Sequence, residues 1–366
     1  MSSDHIYSHI EFPENFELRS EALDELQRGI NEASVDIREA LRTFLPSADP
    51  YQNRIIEAVD STIRLVAPAG SGKTQTIINR VLTRIKNGVN PKRILVLTFD
   101  NAAASSLRNK LADQLLQYPA QLDGLKISTL NAFGWGLLRE YFTEEHKTIV
   151  PEHRQRSIIR EGLEELRRRG PEQYAVLPAN VERRFYRDLY SLLKNQIFDP
   201  RDINPQHLAD FITTTLRKEI KDLLLSHLGG DATSIKKVIQ ALYWLFKAYE
   251  SALQQDRCMD FDDQKLRALR SLQKSPQLLS GIHGQFTEII VDEFQDINKL
   301  DFMLIKCLAE KATLVVTGDD DQAIYGFRGC TPDYIIDLEQ HLGRKVSSYE
   351  LQVNYRCPRN IGLLPV

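Results

Sequence analysis

The sequence predicts an α/β fold in which helices cover both faces of a mostly parallel sheet and a large all-helical subdomain is inserted. Three observations predict it. Short β-branched runs at Thr62 to Val66, Arg93 to Leu97, Lys126 to Ser128, Thr287 to Val291 and Thr313 to Val316 end in polar or glycine-rich residues and read as buried strands. The first run leads into Ala67-Pro68-Ala69-Gly70-Ser71-Gly72-Lys73-Thr74 and then into a periodic apolar segment, Ile77, Ile78, Val81, Leu82 and Ile85, that reads as a helix. Between the third and fourth runs, residues 135–254 show helical periodicity and no comparable strand. In parallel sheets ligands sit beyond the carboxyl ends of the strands, which is where the chemically distinctive residues of this chain fall.

At 366 residues the chain is longer than one domain of about 150 residues, which leaves room for an insertion with its own core. Apolar residues at 42% and charged residues at 27% exclude a disordered chain. No apolar run approaches the roughly 18 residues of a membrane span, and the N-terminus lacks the basic start and apolar stretch of a secretory signal. A cytoplasmic protein with no membrane partner is expected. Cys258, Cys307, Cys330 and Cys357 stand too far apart for a Cys-x-x-Cys metal pair, and free thiols suit a reducing compartment. With a formal charge of -3, any nucleic acid must be held by local features rather than by a global positive field. Ahead of the first strand, Leu23, Leu26, Ile30, Ala33, Ile37 and Leu41 mark one apolar helical face in an N-terminal extension, residues 1–45.

The segment Ala67 to Thr74 has the strand-before, helix-after context that a P-loop requires. Its glycines let backbone N–H groups wrap phosphates, and the following helix N-terminus adds its dipole. Lys73 is placed to meet the β and γ phosphates of ATP, and the Thr74 hydroxyl to meet Mg²⁺. The first glycine of the usual pattern is Ala67 here, so the pattern is matched in relaxed form. Two acids follow the apolar strand Ile289-Ile290-Val291: Asp292 is expected to hold the metal through water, and Glu293 to deprotonate the attacking water.

With its neighbours, Asp292-Glu293-Phe294-Gln295-Asp296 resembles the Walker B box of the UvrD/Rep-like family of superfamily 1 DNA helicases. Further segments resemble that family's boxes in order. Tyr51-Gln52 looks like the adenine-reading Q motif, Leu97-Thr98-Phe99-Asp100-Asn101-Ala102-Ala103 the first DNA-contacting box, and Ser128-Thr129-Leu130-Asn131-Ala132-Phe133 the second. Met259-Asp260-Phe261-Asp262-Asp263 matches an Asp-Phe-x-Asp segment ahead of Walker B. The run Thr317 to Gly329 is similar to the coupling box, and Asn354-Tyr355-Arg356 to the box that opens the second motor domain.

The resemblance implies a RecA-like P-loop NTPase whose parts are residues 46–134 and 255–350, with 135–254 as the helical insertion and 351–366 as the start of a second RecA-like domain. It implies ATP and Mg²⁺ as cofactors and single-stranded or tailed duplex DNA as partner. Gln52 would bond adenine and Tyr355 stack on it, beside the loop residues Ala67 to Thr74 and Gln75. Gln322 and Arg356 would contact the γ-phosphate, a task that suits a planar guanidinium. Phe99, Tyr325 and Phe327 would stack on successive bases, with Thr98, Asn101, Thr129, Asn131 and Arg328 also in the DNA-contacting boxes. The sequence departs from the family at Gln75, where many relatives carry an arginine, at Ala102 for a lysine, at Leu130-Asn131 for Phe-His and at Phe327 for a tryptophan. Arg167, Arg168 and Arg169 follow Glu161, Glu164 and Glu165 on one predicted helix and read as a solvated face.

No segment after Arg356 resembles the family's later boxes. Three readings follow: the N-terminal half of an ATP-dependent helicase moving 3′ to 5′, a subunit completed by a second chain, or a non-motor module that binds nucleotide and single-stranded DNA.

Overall fold

Six strands line up in one parallel sheet, and the chain's own alternation of side chains explains why both of its faces are covered. The computed structural model describes residues 48–114, 124–142, 148–169, 183–197, 204–212, 232–326 and 329–356. The chain divides into two units, Met1–Pro50 and Tyr51–Val366. The predicted helix within residues 1–45 lies outside the described residues, as do Phe327 and Arg328.

Through the first part of the sheet the elements run α1 (Pro50–Glu57), β1 (Thr62–Val66), α2 (Lys73–Lys86), β2 (Ile94–Thr98), α3 (Asn101–Gln114), β3 (Lys126–Thr129) and α4 (Leu130–Tyr141). After β4 (Thr148–Ile149) come the helices α5 (Glu152–Arg169), α6 (Arg183–Asn195), α7 (Pro205–Asp210) and α8 (Ala232–Gln255). The chain returns through β5 (Cys258–Met259), α9 (Asp263–Lys274), α10 (Pro276–Gln285), β6 (Glu288–Val291), α11 (Lys299–Leu308) and β7 (Thr313–Gly318). It then forms α12 (Asp333–Ile336), α13 (Leu338–Leu342) and β8 (Ser347–Glu350).

The strand order is β3-β2-β6-β7-β1-β8, with every neighbouring pair parallel. Period-two alternation sends Ile63, Leu65, Ile94, Val96, Ile290 and Val315 to one face, where Ile77, Ile78 and Val81 of α2 and Leu107 and Leu111 of α3 cover them. Leu95, Leu97, Ile289, Val291, Leu314 and Val316 point the other way, onto Phe133, Leu137 and Leu138 of α4 and Leu266, Leu269, Leu300 and Leu304 of α9 and α11. The chain leaves β1 toward β2 but leaves β7 toward β8, on the opposite side. That reversal opens a crevice at the carboxyl ends of β1 and β7.

Strand boundaries fall within a residue or two of the sequence reading, but three strands were not foreseen. β8 reads Ser-Ser-Tyr-Glu and lies at the sheet edge with alternating half-burial, so it has no apolar run to betray it. β4 and β5 are two residues each and pair in parallel, Thr148 with Cys258 and Ile149 with Met259, at the two ends of the helical segment. Those helices have a separate core, in which Ile159, Tyr186, Tyr190, Leu242, Phe246 and Tyr249 meet. Helix α4 packs instead with the sheet, and Gly134 lets the α9 backbone approach: a Cβ there would lie 2.9 Å from the Gln264 carbonyl oxygen.

Buried charges lock these layers together. Arg80 of α2, fully buried, donates from Nε to Glu288 Oε1 of β6 at 2.6 Å, and Arg84 donates to Glu288 Oε2 at 2.8 Å. Both arginines also donate to the Ala58 carbonyl, and Arg80 to that of Ile55, which satisfies acceptors at the end of α1. A second cluster joins the helical segment to the turn before α9. Lys194, with no exposed side-chain surface, sits 2.6 Å from Glu250, 2.6 Å from Asp260 and 3.0 Å from Asp263. These three acids form a metal-like grouping, but Lys194 Nζ already occupies the point on which they converge. Burial lifts Glu250 to about 7 and Asp260 to about 6, whereas Lys194 and Arg267 hold Asp263 low against the burial that would raise it.

Replacing Lys194 by methionine should therefore destabilise the fold by about 3–5 kcal/mol at pH 8, because buried carboxylates lose their cation. A raised carboxyl binds its proton more tightly folded than unfolded, so this cost should shrink as the pH falls through 7 and 6 toward 4. Denaturant melts at several pH values measure it; a pH-independent difference would contradict the burial argument.

Candidate active site

The loop between β1 and α2 is built for backbone exposure. The Ala67 amide donates to the Gly318 carbonyl at 2.9 Å, which extends the β1–β7 ladder by one rung before the chain turns away. Gly70 and Gly72 hold φ of 80° and 87°, a left-handed region that disfavours side chains. Gly72 caps α2 with no side-chain acceptor, so first-turn N–H groups stay available to an anion. Ala67 is buried against the sheet core, so the relaxed first position accommodates its methyl group by packing it. The Ser71 hydroxyl is buried without a hydrogen-bond partner. Pro68, Ala69 and Gln75 are exposed, Thr74 is half-buried, and Gln75 bonds Asn79 along its own helix at 2.9 Å.

Opposite this loop, β6 delivers the two acids. Lys73 Nζ lies 3.7 Å from Asp292 Oδ1 and is ion-paired and hydrogen-bonded to Glu293 Oε2. Asp292 accepts from the Thr317 hydroxyl of β7 at 2.7 Å and from the Glu293 amide at 3.0 Å. Burial raises its pKa, with Lys73 acting in the opposite sense. Glu293 has φ of 52°, unusual for a non-glycine residue, directly at the chemically distinctive position. Gln295, which the sequence reading did not single out, donates to Glu293 Oε2 at 2.9 Å and accepts from the Asp319 amide at 3.1 Å. Asp319 accepts in turn from the Gln322 side chain, which is exposed.

Of the residues expected to meet adenine and the γ-phosphate, Gln52, Tyr355 and Arg356 gather on the same loop, and Gln322 is held by Asp319. Gln52 of α1 is buried and donates to the Ser71 carbonyl at 3.3 Å. Residues 354–356 lie across the loop: the Tyr355 amide donates to the Gly70 carbonyl at 2.8 Å and Asn354 Nδ2 to the Ala69 carbonyl at 3.1 Å. The Arg356 amide is held by the Asn354 side chain at 2.9 Å while its own side chain is exposed. Asn354 is thus the anchor of this segment, a role that no spacing in the sequence announces.

Residues from the two segments expected to contact DNA stand at the other half of the same sheet edge. Thr98 and Thr129 end β2 and β3 in register and are buried. Thr98 donates to the Asp100 carbonyl at 3.0 Å, and Thr129 caps α4 by accepting from Ala132. Asn101 opens α3 and is exposed. Asn131 donates to the Phe261 carbonyl at 3.1 Å, and Phe261 is 59% exposed, an aromatic that the stacking argument had not included. Phe99 and Tyr325 stack on each other with ring centroids 4.7 Å apart and planes 29° apart. Of the arginine run, Arg168 and Arg169 pair with Glu165 and Arg169 also lies over Trp244, the solvated-face arrangement.

Residues 48–343 match the UvrD/REP helicase N-terminal domain. Curated relatives include the ATP-dependent DNA helicase PcrA of Staphylococcus epidermidis, 28% identical over 327 residues, which are 88% of this chain and 40% of the relative. The protein of the same name from Leuconostoc citreum is 28% identical over 328 residues, 88% of this chain and 39% of the relative. That from Staphylococcus aureus is 27% identical over 327 residues, again 88% and 40%. The chain thus spans about 40% of the length of the curated relatives it matches. No described helix is long and apolar enough to cross a membrane.

An alanine at Gly70 would place its Cβ 2.6 Å from Arg356 Cβ and 2.7 Å from Asn354 Oδ1, at a φ that costs about 1–2 kcal/mol for an L-residue. Gly70→Ala should release residues 352–356 from the loop, seen as faster amide exchange there with the sheet's protection intact. Unchanged exchange at Tyr355 would mean that the contact with the loop does not hold that segment.

Proposed function

The chain belongs to the UvrD/REP helicase N-terminal domain family, and on that premise we propose that it is the ATP-binding, single-stranded-DNA-contacting half of a UvrD/Rep-type DNA helicase or translocase moving 3′ to 5′. The observation that carries the reading is the meeting of Lys73 with Asp292 and Glu293 across the ends of β1 and β6. A lysine shared by two acids at a left-handed glycine loop makes sense where a polyanion is to replace the acids as its partner.

In this reading Lys73 turns to the β and γ phosphates, while the amides of Ala69 to Thr74 and the α2 N-terminus hold the remaining charge. Gln52 and Tyr355 take the adenine edge and face, and Gln322 and Arg356 the γ-phosphate. Released from Lys73, Glu293 orients and deprotonates the attacking water. The donor set suits a hard divalent cation: Asp292 is a desolvated carboxylate steadied by Thr317, and Thr74 adds a hydroxyl. Thr74 and Asp292 would hold Mg²⁺, which when bound neutralises charge on the phosphoryl oxygens. Phe99 and Tyr325, with Thr98, Asn101, Thr129 and Asn131, would grip single-stranded DNA, at about 1–3 kcal/mol per stacked base. Phe327 and Arg328 belong to this grip on the family resemblance alone. A second RecA-like domain, from the same or another chain, would close the cleft over Tyr355 and Arg356.

The test is ATP hydrolysis with and without single-stranded DNA, together with nucleotide binding. Lys73→Ala should weaken Mg-ATP binding by tenfold or more, about 1.4 kcal/mol or above; an unchanged affinity would defeat the phosphate-loop assignment. Turnover by these 366 residues alone should be low and lost in Glu293→Gln, and robust unwinding without a second domain would overturn the half-motor reading.

A further inference from the structure

Gln295 is a buried amide that links Glu293 to Asp319. It is 2% exposed. Its Nε2 donates to Glu293 Oε2 at 2.9 Å and to Asp296 Oδ2 at 3.3 Å, and its Oε1 accepts from the Asp319 amide at 3.1 Å. The fold makes room for it: a Cβ on Gly318 would lie 2.5 Å from Gln295 Oε1 and 2.7 Å from Ile335 Cδ1, so glycine at 318 leaves the amide its place. From Asp319 the connection continues outward. Its carboxylate holds the Gln322 side chain and accepts from the Asp321 amide at 3.2 Å, fixing the short turn Asp320–Gln322. Three residues further on, Tyr325 stacks on Phe99.

Glu293 Oε2 thus has two donors, Lys73 from the phosphate loop and Gln295 from within its own segment. If phosphate draws Lys73 away, Gln295 remains the tie between the Glu293 carboxylate and the turn that presents Gln322. We propose that Gln295 is a positioning residue that transmits nucleotide occupancy from Glu293, through Asp319, to the Phe99–Tyr325 stack. The inference rests on the nucleotide and DNA reading above. It adds the residue through which the two sites exchange free energy, without itself touching either ligand.

The test measures linkage with the full 366-residue chain. Affinity for a fluorescent oligo(dT) is read by anisotropy with and without saturating Mg-AMPPNP, in the unaltered chain, in Gln295→Leu, which keeps volume but not the amide, and in Gln295→Met, which keeps the side-chain length but neither the donor to Glu293 nor the acceptor for the Asp319 amide. The unaltered chain should change its oligo(dT) affinity by about fivefold or more on adding nucleotide. In both variants that ratio should fall toward one, with AMPPNP affinity within about threefold of the unaltered chain, roughly 0.7 kcal/mol. A ratio retained in Gln295→Leu overturns the proposal. So does an absent ratio in an unaltered chain that binds both probes, or a lost ratio matched by an equal loss of AMPPNP affinity, which marks a merely structural residue. An unaltered chain that binds neither probe sinks the parent reading first.

Discussion

Everything at this site depends on one alignment: parallel strands deliver the P-loop lysine and the two acids to the same edge. Lys73 arrives after β1, Asp292 and Glu293 after β6, and Thr317 from the end of β7, which lies between those two strands. Parallel pairing makes all three strands finish on one side, so residues remote in sequence meet without any loop reaching across. Thr317 gives Asp292 a donor, and Gly318 both receives the Ala67 amide and leaves space for Gln295. The site is therefore a property of the sheet's register more than of any single loop.

The far end of the sheet is fastened by a different device. Glu288, at the start of the strand that ends in the acids, is gripped by two arginines of the helix that begins at the phosphate loop. A buried ion pair of this kind contributes little net stability, since desolvation offsets much of the attraction. Its geometric demand is strict, however, and here it fixes the angle and depth of α2 against β6 from the end opposite Asp292 and Glu293. Arg80 and Arg84 also meet carbonyls at the end of α1, so the helix that carries Gln52 is referenced to the same point.

How much could be read from the residues follows from where the information lies. Ile289 to Val291 and Leu314 to Val316 are buried on both faces, and such strands advertise themselves as unbroken apolar runs. The loop from Ala67 to Thr74 was legible because such a loop is local, its parts contiguous. β8 was not, because a half-buried edge strand needs no apolar residue on its open side. β4 and β5 fall below the length at which any period can show. Lys194 was illegible for a deeper reason: lysine is seldom buried, and its three acids come from α8, the turn before α9 and the start of α9, distant in sequence. Gln295 and Asn354 were missed in the same way, since each acts through backbone groups that only folding brings within reach. Phe99 and Tyr325 were both foreseen as ring platforms, but not that they lie on each other.

The two-residue pair β4–β5 has a consequence out of proportion to its size. It clasps the chain where the helical segment departs and where it comes back, Thr148 beside Cys258. Both ends of the excursion are thereby pinned at adjacent points, and its further ties to the sheet domain run through particular contacts, Lys194 with Asp260 and Asp263 and Arg270 with the Ile197 carbonyl. Loop-closure entropy grows only slowly with length once the ends are fixed. Residues between those ties can be added or removed while the strand ends that hold the acids stay put. The clasp works as a port on the scaffold: a place where new surface can be attached without retuning the chemistry beneath it.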